Sequence, residues 1–222
     1  MSLLSYFYPQ IVEEVDSEIN GKITVVEQFG KKYISVGGLT QSGGLLKNVW
    51  EKGIREASKL QPFDFTQGKR HKASKILILG LGGGTLVKII NHYYSEAHIT
   101  GVDIDPKMVE MGRKHLGLDK AKNLKVVIAD AAKFIKNNKG KYDLILVDLY
   151  IGSNFPAIVL SESFISNLRD AVKEKGIMIV NYLYYKKSKE KAGVFIEMIK
   201  KVFTEVTTIK PLVNMLIICR KS

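Results

Sequence analysis

Three acidic residues of this 222-residue chain each come directly after a short apolar segment: Asp103, Asp130 and Asp148. A carboxylate can accept hydrogen bonds from ribose hydroxyls or an adenine amino group, and it can take a proton as a general base. If the three segments are parallel strands, their carboxyl ends meet at one edge of a sheet, where ligands of such sheets bind. The spacing therefore predicts one ligand site that contains all three carboxylates.

A glycine-rich turn follows another apolar segment, Lys75–Leu79. It contains four glycines within five positions: Gly80, Gly82, Gly83 and Gly84. Glycine allows a sharp turn and a close approach of a ligand to the backbone, and the start of the next helix carries free N–H groups. We expect these groups to face a polar or anionic ligand. Asp103 follows Gly80 by 23 residues, a spacing that suits a carboxylate on the ribose of NAD or of an adenosyl ligand.

The elements that position these residues alternate along the chain. Predicted strands cover 75–80, 98–103, 124–129, 142–148 and 176–182, and predicted helices cover 84–94, 106–116, 131–137, 160–173 and 188–202. Such alternation favours a parallel sheet covered by helices on both faces. Two β-like runs, 203–209 and 213–219, are too closely connected to be parallel. We predict an α/β fold with a doubly wound, mostly parallel seven-stranded sheet that ends in an antiparallel hairpin.

The first 59 residues have a different pattern. Short β-like runs at 11–15, 22–26 and 32–36 are separated by glycine-containing turns, which predicts a small antiparallel meander. A helical pattern follows, and we assign Trp50 on its apolar face to the core. Asp105 precedes Pro106, which predicts a helix N-cap followed by proline at the first helical position. The predicted domains are 1–59, a β region plus helix; 60–74, a linker or insertion; and 75–222, the α/β domain.

Composition restricts the class of protein. The formal charge is +12, which permits a nucleic-acid partner, but the lysines are spread along helices and we favour a solvated surface. The four histidines lack metal-ligand spacing, so no metal is expected. Cys219 lies in an apolar run and is expected to be a buried thiol. We find no signal peptide and no membrane-spanning segment, and we expect a cytoplasmic protein with a small-molecule substrate.

These motifs together resemble the spermidine synthase family, within the class I S-adenosylmethionine-dependent methyltransferase fold. The resemblance runs from about residue 20 to residue 219, and four segments carry it: Gly80–Thr85, Gly101–Pro106, Ala129–Ala131 and Tyr142–Asp148. It implies that the α/β domain is a Rossmann-like domain that binds S-adenosylmethionine or decarboxylated S-adenosylmethionine. It also makes a homodimer plausible.

The resemblance implies a set of site residues. Gln41, which follows a glycine turn, is expected to face the cofactor, as are Asp103, Asp130 and Asp148. The cofactor-binding residues expected are Gln41, Gly80, Gly82, Gly84, Asp103, Ile104, Asp130, Ala131 and Asp148. Asp148 is also the expected catalytic base, because a carboxylate beside a sulfonium can hold an incoming amine and accept its proton. Tyr150 is expected to contact the acceptor substrate.

The chain also departs from the family pattern. Gly83 stands where spermidine synthases carry an aspartate that holds the aminopropyl ammonium of the donor. Ile151 stands where they carry a second acid after the fourth strand, and 47–50 lacks their Tyr-His pair. A polyamine is a polycation and requires an acidic pocket, so these losses weaken the polyamine half of the resemblance.

We therefore expect an enzyme, a transferase that uses S-adenosylmethionine, and favour methyl transfer to an unidentified acceptor. The alternative is aminopropyl transfer from decarboxylated S-adenosylmethionine, which the β region and Asp148 favour. A further alternative is a non-catalytic module that binds an adenosyl ligand or NAD.

Overall fold

The computed structural model describes residues 8–44, 46–60, 75–152, 155–184 and 188–222. Its first unit is an antiparallel sheet of four strands in chain order. The strands are β1 (Gln10–Ser17), β2 (Gly21–Gln28), β3 (Lys31–Val36) and β4 (Leu39–Ser42). The predicted meander is present. The fourth strand was not predicted, because it has only four residues and directly follows the Gly37-Gly38 turn.

The second sheet has seven strands. These are β5 (Lys75–Leu79), β6 (His98–Asp103), β7 (Leu124–Ile128), β8 (Tyr142–Val147), β9 (Val172–Leu183), β10 (Glu205–Ile209) and β11 (Asn214–Arg220). Their order is β10-β11-β9-β8-β5-β6-β7. The five strands from β9 to β7 are parallel, and β11 is antiparallel to both β9 and β10. The predicted α/β fold, with its mostly parallel seven-stranded sheet and antiparallel terminal hairpin, is confirmed.

Six α-helices connect the strands in the described ranges. They are α1 (Leu46–Lys59), α2 (Thr85–Tyr93), α3 (Pro106–Leu116), α4 (Ala131–Asn137), α5 (Glu162–Ala171) and α6 (Ser188–Lys200). In α3 and α4 the observed limits equal the predicted ones. The predicted helix 160–173 was too long, since α5 ends at Ala171 and β9 begins at Val172 with an irregular pairing to β8. No helix of the described ranges is long and apolar enough to cross a membrane.

Alternate residues of the large sheet face two separate hydrophobic layers. Leu77, Ile145 and Val180 pack toward the helices α4, α5 and α6. Their neighbours, such as Ile78 and Leu146, pack toward α1, α2 and α3. Because both faces are covered, the strands are apolar on both sides, which explains why their sequence pattern is a continuous run. The expected buried thiol, Cys219, lies in the first layer, and burial raises its pKa.

A third hydrophobic cluster joins the small sheet to the large domain. Ile23 and Ile34 of the small sheet pack against Met108 and Met111 of α3. A polar contact lies beside this cluster. Asp105 is completely buried and accepts hydrogen bonds from Ser17 Oγ at 2.5 Å and from Asn20 Nδ2 at 2.6 Å. The small sheet is therefore held on α3 by apolar packing and by one buried carboxylate.

The predicted division of the chain into 1–59, 60–74 and 75–222 stays a prediction. Helix α1 packs on the large sheet, because Trp50 and Ile54 belong to the same hydrophobic layer as Ile78 and Leu216. Apart from Leu60, the predicted linker lies outside the described residues.

Candidate active site

A cavity of about 480 Å³ lies at the carboxyl ends of the parallel strands, and β4 of the small sheet forms part of its wall. Cavities of this size hold drug-sized ligands in other proteins. All but one of the predicted site residues line it: Gln41, Gly80, Gly82, Asp103, Ile104, Asp130, Ala131, Asp148 and Tyr150. Gly84 is the exception, and it lies next to the cavity-lining Thr85.

The glycine turn forms the floor of the cavity between β5 and α2. Gly80 has a φ of 89°, and a Cβ there would collide with the carbonyl oxygen of Asp148. Only glycine therefore allows β5 and β8 to approach this closely at their ends. The position of Gly84, with a φ of 88° as the residue before α2, likewise requires a left-handed backbone.

The backbone amides of this turn are used within the chain. Gly82 N donates to Asp103 Oδ2 at 2.7 Å, and Gly83 N donates to Ser42 Oγ at 2.7 Å. The amides of residues 80, 81 and 84 donate to backbone carbonyls. The amides of residues 80–84 are thus not free to donate to a pyrophosphate. The expectation of free N–H groups concerns the start of α2, which begins at Thr85, and it stays a prediction.

Asp103 lies at the end of β6 with its side chain partly exposed to the cavity. One oxygen accepts from Gly82 N and the other from Asp105 N at 2.9 Å. Each carboxylate oxygen can accept a further hydrogen bond, so the side chain can still bind two hydroxyl groups. Burial raises the pKa of Asp103, and the two backbone donors oppose that rise. The adjacent Ile104 is an exposed aliphatic residue of the same wall.

Asp130 lies at the end of β7 and is the N-cap of α4, where its side chain accepts from Lys133 N at 2.8 Å. Only Oδ1 makes this bond, which leaves Oδ2 for a donor on a ligand. Ala131, the first residue of the helix, is buried and adds a small apolar surface. A flat ring with an exocyclic amino group fits such a pair of neighbours.

Asp148 lies at the end of β8, enclosed by protein and open to the cavity. Its Oδ2 accepts from Trp50 Nε1 at 3.1 Å, and its Oδ1 accepts from Asn181 Nδ2 at 2.8 Å. Burial raises its pKa to about 6, the hydrogen bonds from Asn181 and Trp50 lower it, and the charge of Asp103 raises it. A carboxylate with a pKa near neutrality is a suitable general base.

Two further residues hold this network in place. Asn214 Nδ2 donates to Asn181 Oδ1 at 2.9 Å, so the amide of Asn181 is fixed with its nitrogen toward Asp148. Tyr150 donates from its hydroxyl to the backbone oxygen of Asn181 at 3.0 Å. Burial raises the pKa of Tyr150, and this phenol stays neutral at physiological pH. Tyr150 can therefore contact a ligand through its aromatic ring but carries no charge.

Gln41 lies in β4 and reaches across the cavity mouth. Its Nε2 donates to the carbonyl oxygen of Gly152 at 2.9 Å, which links the small sheet to the loop after β8. No described residue donates to its Oε1. Gln41 thus connects two walls of the cavity and presents an acceptor oxygen to a ligand.

Gly83 has a different environment from the rest of the turn. A Cβ at this position would lie 2.7 Å from a methyl carbon of Ile34 and 2.7 Å from one of Leu116. Gly83 does not line the cavity, and a side chain there would enter the hydrophobic contact between β3 and α3. A side chain at position 83 would therefore require the side chains of Ile34 and Leu116 to move.

The charge of the cavity is opposite to the charge of the chain. Among the described lining residues, the ionised side chains are the carboxylates Asp103, Asp130 and Asp148, and none is Lys, Arg or His. This chain of charge +12 thus encloses a site with three acids. Such a site attracts cationic ligands and disfavours anionic ones.

Sequence reasoning missed four residues of the site: Ser42, Trp50, Asn181 and Asn214. Asn181 follows the apolar run Ile177–Val180 of β9, which is the same signal that identified the three aspartates. Trp50 was correctly assigned to the core, since it is 1% exposed, but its indole nitrogen also reaches Asp148. No local pattern marks Ser42 or Asn214 as a site residue.

Comparison with known proteins identifies the family. Residues 64–218 match the spermine/spermidine synthase domain. Among curated relatives, the polyamine aminopropyltransferase of Saccharolobus solfataricus is 29% identical over 211 residues, which cover 90% of this chain and 67% of that protein. Polyamine aminopropyltransferase 2 of Aquifex aeolicus is 37% identical over 166 residues, 70% of this chain and 31% of that protein. The chain spans less than half of several such relatives.

Solved structures share the fold. A probable spermidine synthase from Corynebacterium glutamicum superposes with a TM-score of 0.80 at 16% identity, covering 95% of this chain and 80% of that one. Human methyltransferase-like protein 13 superposes with a TM-score of 0.67 at 21% identity, covering 81% of this chain and 83% of that one. Since the domain match covers more than half of the sequence, the chain belongs to the spermine/spermidine synthase family.

Proposed function

We propose that this protein transfers an aminopropyl group from decarboxylated S-adenosylmethionine to an amine, with Asp148 as the general base. The observation that carries this proposal is the charge of the cavity, where three carboxylates and no cationic side chain line the described walls. The curated relatives named above are polyamine aminopropyltransferases, which supports the same activity.

The charge distribution distinguishes the candidate donors. Decarboxylated S-adenosylmethionine carries two positive charges, a sulfonium and an ammonium, which match an acidic cavity. S-adenosylmethionine adds a carboxylate, for which the described walls offer no cation. NAD carries a pyrophosphate, whose negative charges the three carboxylates of the described walls disfavour. Methyl transfer, the function favoured from sequence, has support from the fold alone.

In this proposal, some residues of the cavity bind the donor and others bind the acceptor. Asp103 is placed to accept hydrogen bonds from the ribose hydroxyls and Asp130 from the adenine amino group, beside the apolar surfaces of Ile104 and Ala131. The Asp103 and Asp148 carboxylates are close enough to interact electrostatically, and both attract the cationic end of the donor. Gln41 adds a neutral acceptor at the opposite wall.

Asp148 performs the proton transfer. It accepts a proton from the ammonium of the acceptor, and the neutral nitrogen then attacks the methylene carbon bonded to sulfur. The carbon–sulfur bond breaks with its electron pair on sulfur, which leaves the neutral thioether methylthioadenosine and a secondary ammonium. Trp50 and Asn181 hold the carboxylate in position for this step. Positioning supplies most of the acceleration in a displacement of this kind.

Identification of the thioether product tests the proposal. The purified protein is incubated with decarboxylated S-adenosylmethionine or with S-adenosylmethionine, each with a mixture of amines, and the nucleoside products are separated. We expect methylthioadenosine from the decarboxylated donor at a rate at least tenfold above any turnover of the other donor. Formation of S-adenosylhomocysteine as the main product would contradict the proposal and establish methyl transfer instead.

Several sequence-based expectations stay predictions. These are the homodimer, the absence of a nucleic-acid partner and the cytoplasmic location. The absence of a metal from the reaction also stays a prediction.

A further inference from the structure

The two sides of the cavity differ in how many charges they can neutralise. The donor side, at the ends of β5, β6 and β7, holds Asp103 and Asp130. The other side, which we call the acceptor wall, is formed at β8, β9 and β11. It consists of Asp148, Leu149, Tyr150, Ile151, Asn181, Leu183, Val213 and Asn214. Asp148 is the one carboxylate among the described residues of this wall.

The other polar side chains described on the acceptor wall, Tyr150, Asn181 and Asn214, each make a hydrogen bond within the protein. The amides of Asn181 and Asn214 bond to each other, and Asn181 also donates to Asp148. The rest of the wall, including Ile151, Leu183 and Val213, is aliphatic or aromatic. The segments that the structure does not describe contain a single acidic residue, Asp64. An ammonium that left Asp148 along this wall would therefore meet apolar side chains.

From this wall we propose that the acceptor is a primary amine with one positive charge on an apolar chain, and not a polyamine. Asp148, the one carboxylate among the described residues of this wall, can pair with one ammonium of the acceptor. A second ammonium would find no carboxylate partner among the described residues of this wall, whereas a methyl group in its place would gain apolar contacts.

The reaction of this acceptor rests on the proposed aminopropyl transfer. The binding test below does not depend on that proposal. The reaction is the one described above: the single ammonium of the acceptor loses its proton to Asp148, its nitrogen bonds to the propyl carbon, and the electron pair of the broken bond stays on sulfur. The product is then an N-alkyl-1,3-diaminopropane. The apolar chain of the acceptor lies along Leu183 and Val213 and takes no part in the chemistry.

Two isosteric amines test this inference directly. 1-Aminopentane and 1,4-diaminobutane have the same number of heavy atoms, and only the second has an ammonium at both ends. Trp50 is the only tryptophan of the chain and donates to Asp148, so its fluorescence reports on this site. In titrations with saturating methylthioadenosine, we expect 1-aminopentane to bind at least tenfold more tightly. Equal or tighter binding of 1,4-diaminobutane would overturn the inference.

A pair of variants at Ile151 tests the physical cause. Ile151 lines the cavity and is 40% exposed, so a polar side chain is tolerated there. We expect Ile151→Asp to reduce the preference for 1-aminopentane at least fivefold, while the uncharged Ile151→Asn keeps it. The same preference in both variants would overturn the assignment of selectivity to a missing charge.

The outcome separates the two proposals. If 1-aminopentane binds more tightly but neither amine yields methylthioadenosine, the aminopropyl-transfer proposal fails and the single-charge acceptor site is supported. If 1,4-diaminobutane binds more tightly and is turned over, aminopropyl transfer is supported and the acceptor inference fails.

Discussion

The donor side and the acceptor wall of the cavity are built in different ways. On the donor side, each functional carboxylate also serves the fold: Asp103 holds the glycine turn and Asp130 caps α4. On the acceptor wall, Asp148 orders neither a turn nor a helix. Its carboxylate only accepts hydrogen bonds from the side chains of Trp50 and Asn181. For the proposed transfer, the difference predicts that donor binding is inseparable from local structure, whereas the acceptor chemistry depends on one charge that the fold itself does not need.

The largest effect on stability is expected when the attachment of the small sheet to the donor side is removed. Asp105→Ala removes the N-cap of α3 and leaves the buried donor of Ser17 and the partly buried donor of Asn20 without this acceptor. Loss of a cap costs about 1 kcal/mol, and unsatisfied buried groups cost about 1–3 kcal/mol. We expect the free energy of unfolding, measured by urea denaturation, to fall by about 3 kcal/mol.

Asp119→Ala is the matched control, because Asp119 lies just after the same helix and is exposed. Its effect is expected to stay within about 0.5 kcal/mol. Equal stability of the two variants would contradict the role given to Asp105.

The next prediction concerns the carboxylate expected to bind ribose. Asp103→Asn removes the charge and can keep only one of the two backbone donors. Hydrogen bonds to charged groups contribute about 1.5–3 kcal/mol, which corresponds to a tenfold to hundredfold change in affinity. We expect methylthioadenosine to bind at least about tenfold more weakly in calorimetry. Glu110→Gln, an exposed change on α3, is the control, and unchanged binding in Asp103→Asn would refute this contact.

A smaller effect is expected when the network on Asp148 is weakened. Trp50→Phe removes the indole donor, which lowers the pKa of Asp148 in the native protein. Without it the pKa rises, so the carboxylate becomes protonated at a higher pH and the base is lost earlier as the pH falls. We expect the acid limb of the pH profile of turnover to move to higher pH, with little change at the plateau.

Tyr150→Phe serves as the comparison, because its hydroxyl donates to the backbone of Asn181 and not to Asp148. Its acid limb is expected at the wild-type position. A limb that moves equally in both variants, or in neither, would show that the indole does not tune the base.

The smallest predicted effect is at Gln41. Gln41→Ala removes its bond to the Gly152 carbonyl and one neutral acceptor of the cavity. A neutral hydrogen bond contributes about 1 kcal/mol, so the affinity for methylthioadenosine is expected to fall about fivefold. Gln28→Ala, in the same sheet but away from the cavity, should leave the affinity unchanged. No difference between the two would remove Gln41 from the site.

The two sides also differ in how far they could be predicted from the sequence. Asp103 and Asp130 each follow a short apolar segment. Their hydrogen bonds within the protein are made with neighbours within three residues or at the end of the adjacent strand. The cap at Asp105 was predicted for the same reason. Local patterns are sufficient where the partners are local. The alternation of strands and helices likewise predicted the sheet and its terminal hairpin.

The acceptor wall depends on contacts between distant positions. Trp50 reaches Asp148 across 98 positions of the chain, and Asn181 reaches it across 33. The glycine turn also depends on a distant contact, since the amide of Gly83 donates to Ser42 in a strand that had not been predicted. A pattern of residue types does not predict which distant side chain will donate a hydrogen bond to a given group. These donors set the position and the pKa of Asp148.

One measurement tests the division between binding and chemistry most directly. Turnover and methylthioadenosine affinity are both measured for the wild type and for Asp148→Asn. Loss of a general base reduces turnover by about 10²–10⁴-fold, and we expect a loss of this size with the affinity unchanged within about twofold. Turnover within tenfold of the wild type would contradict the assignment of Asp148 as the base. A matching loss of affinity would contradict the separation of the two sides.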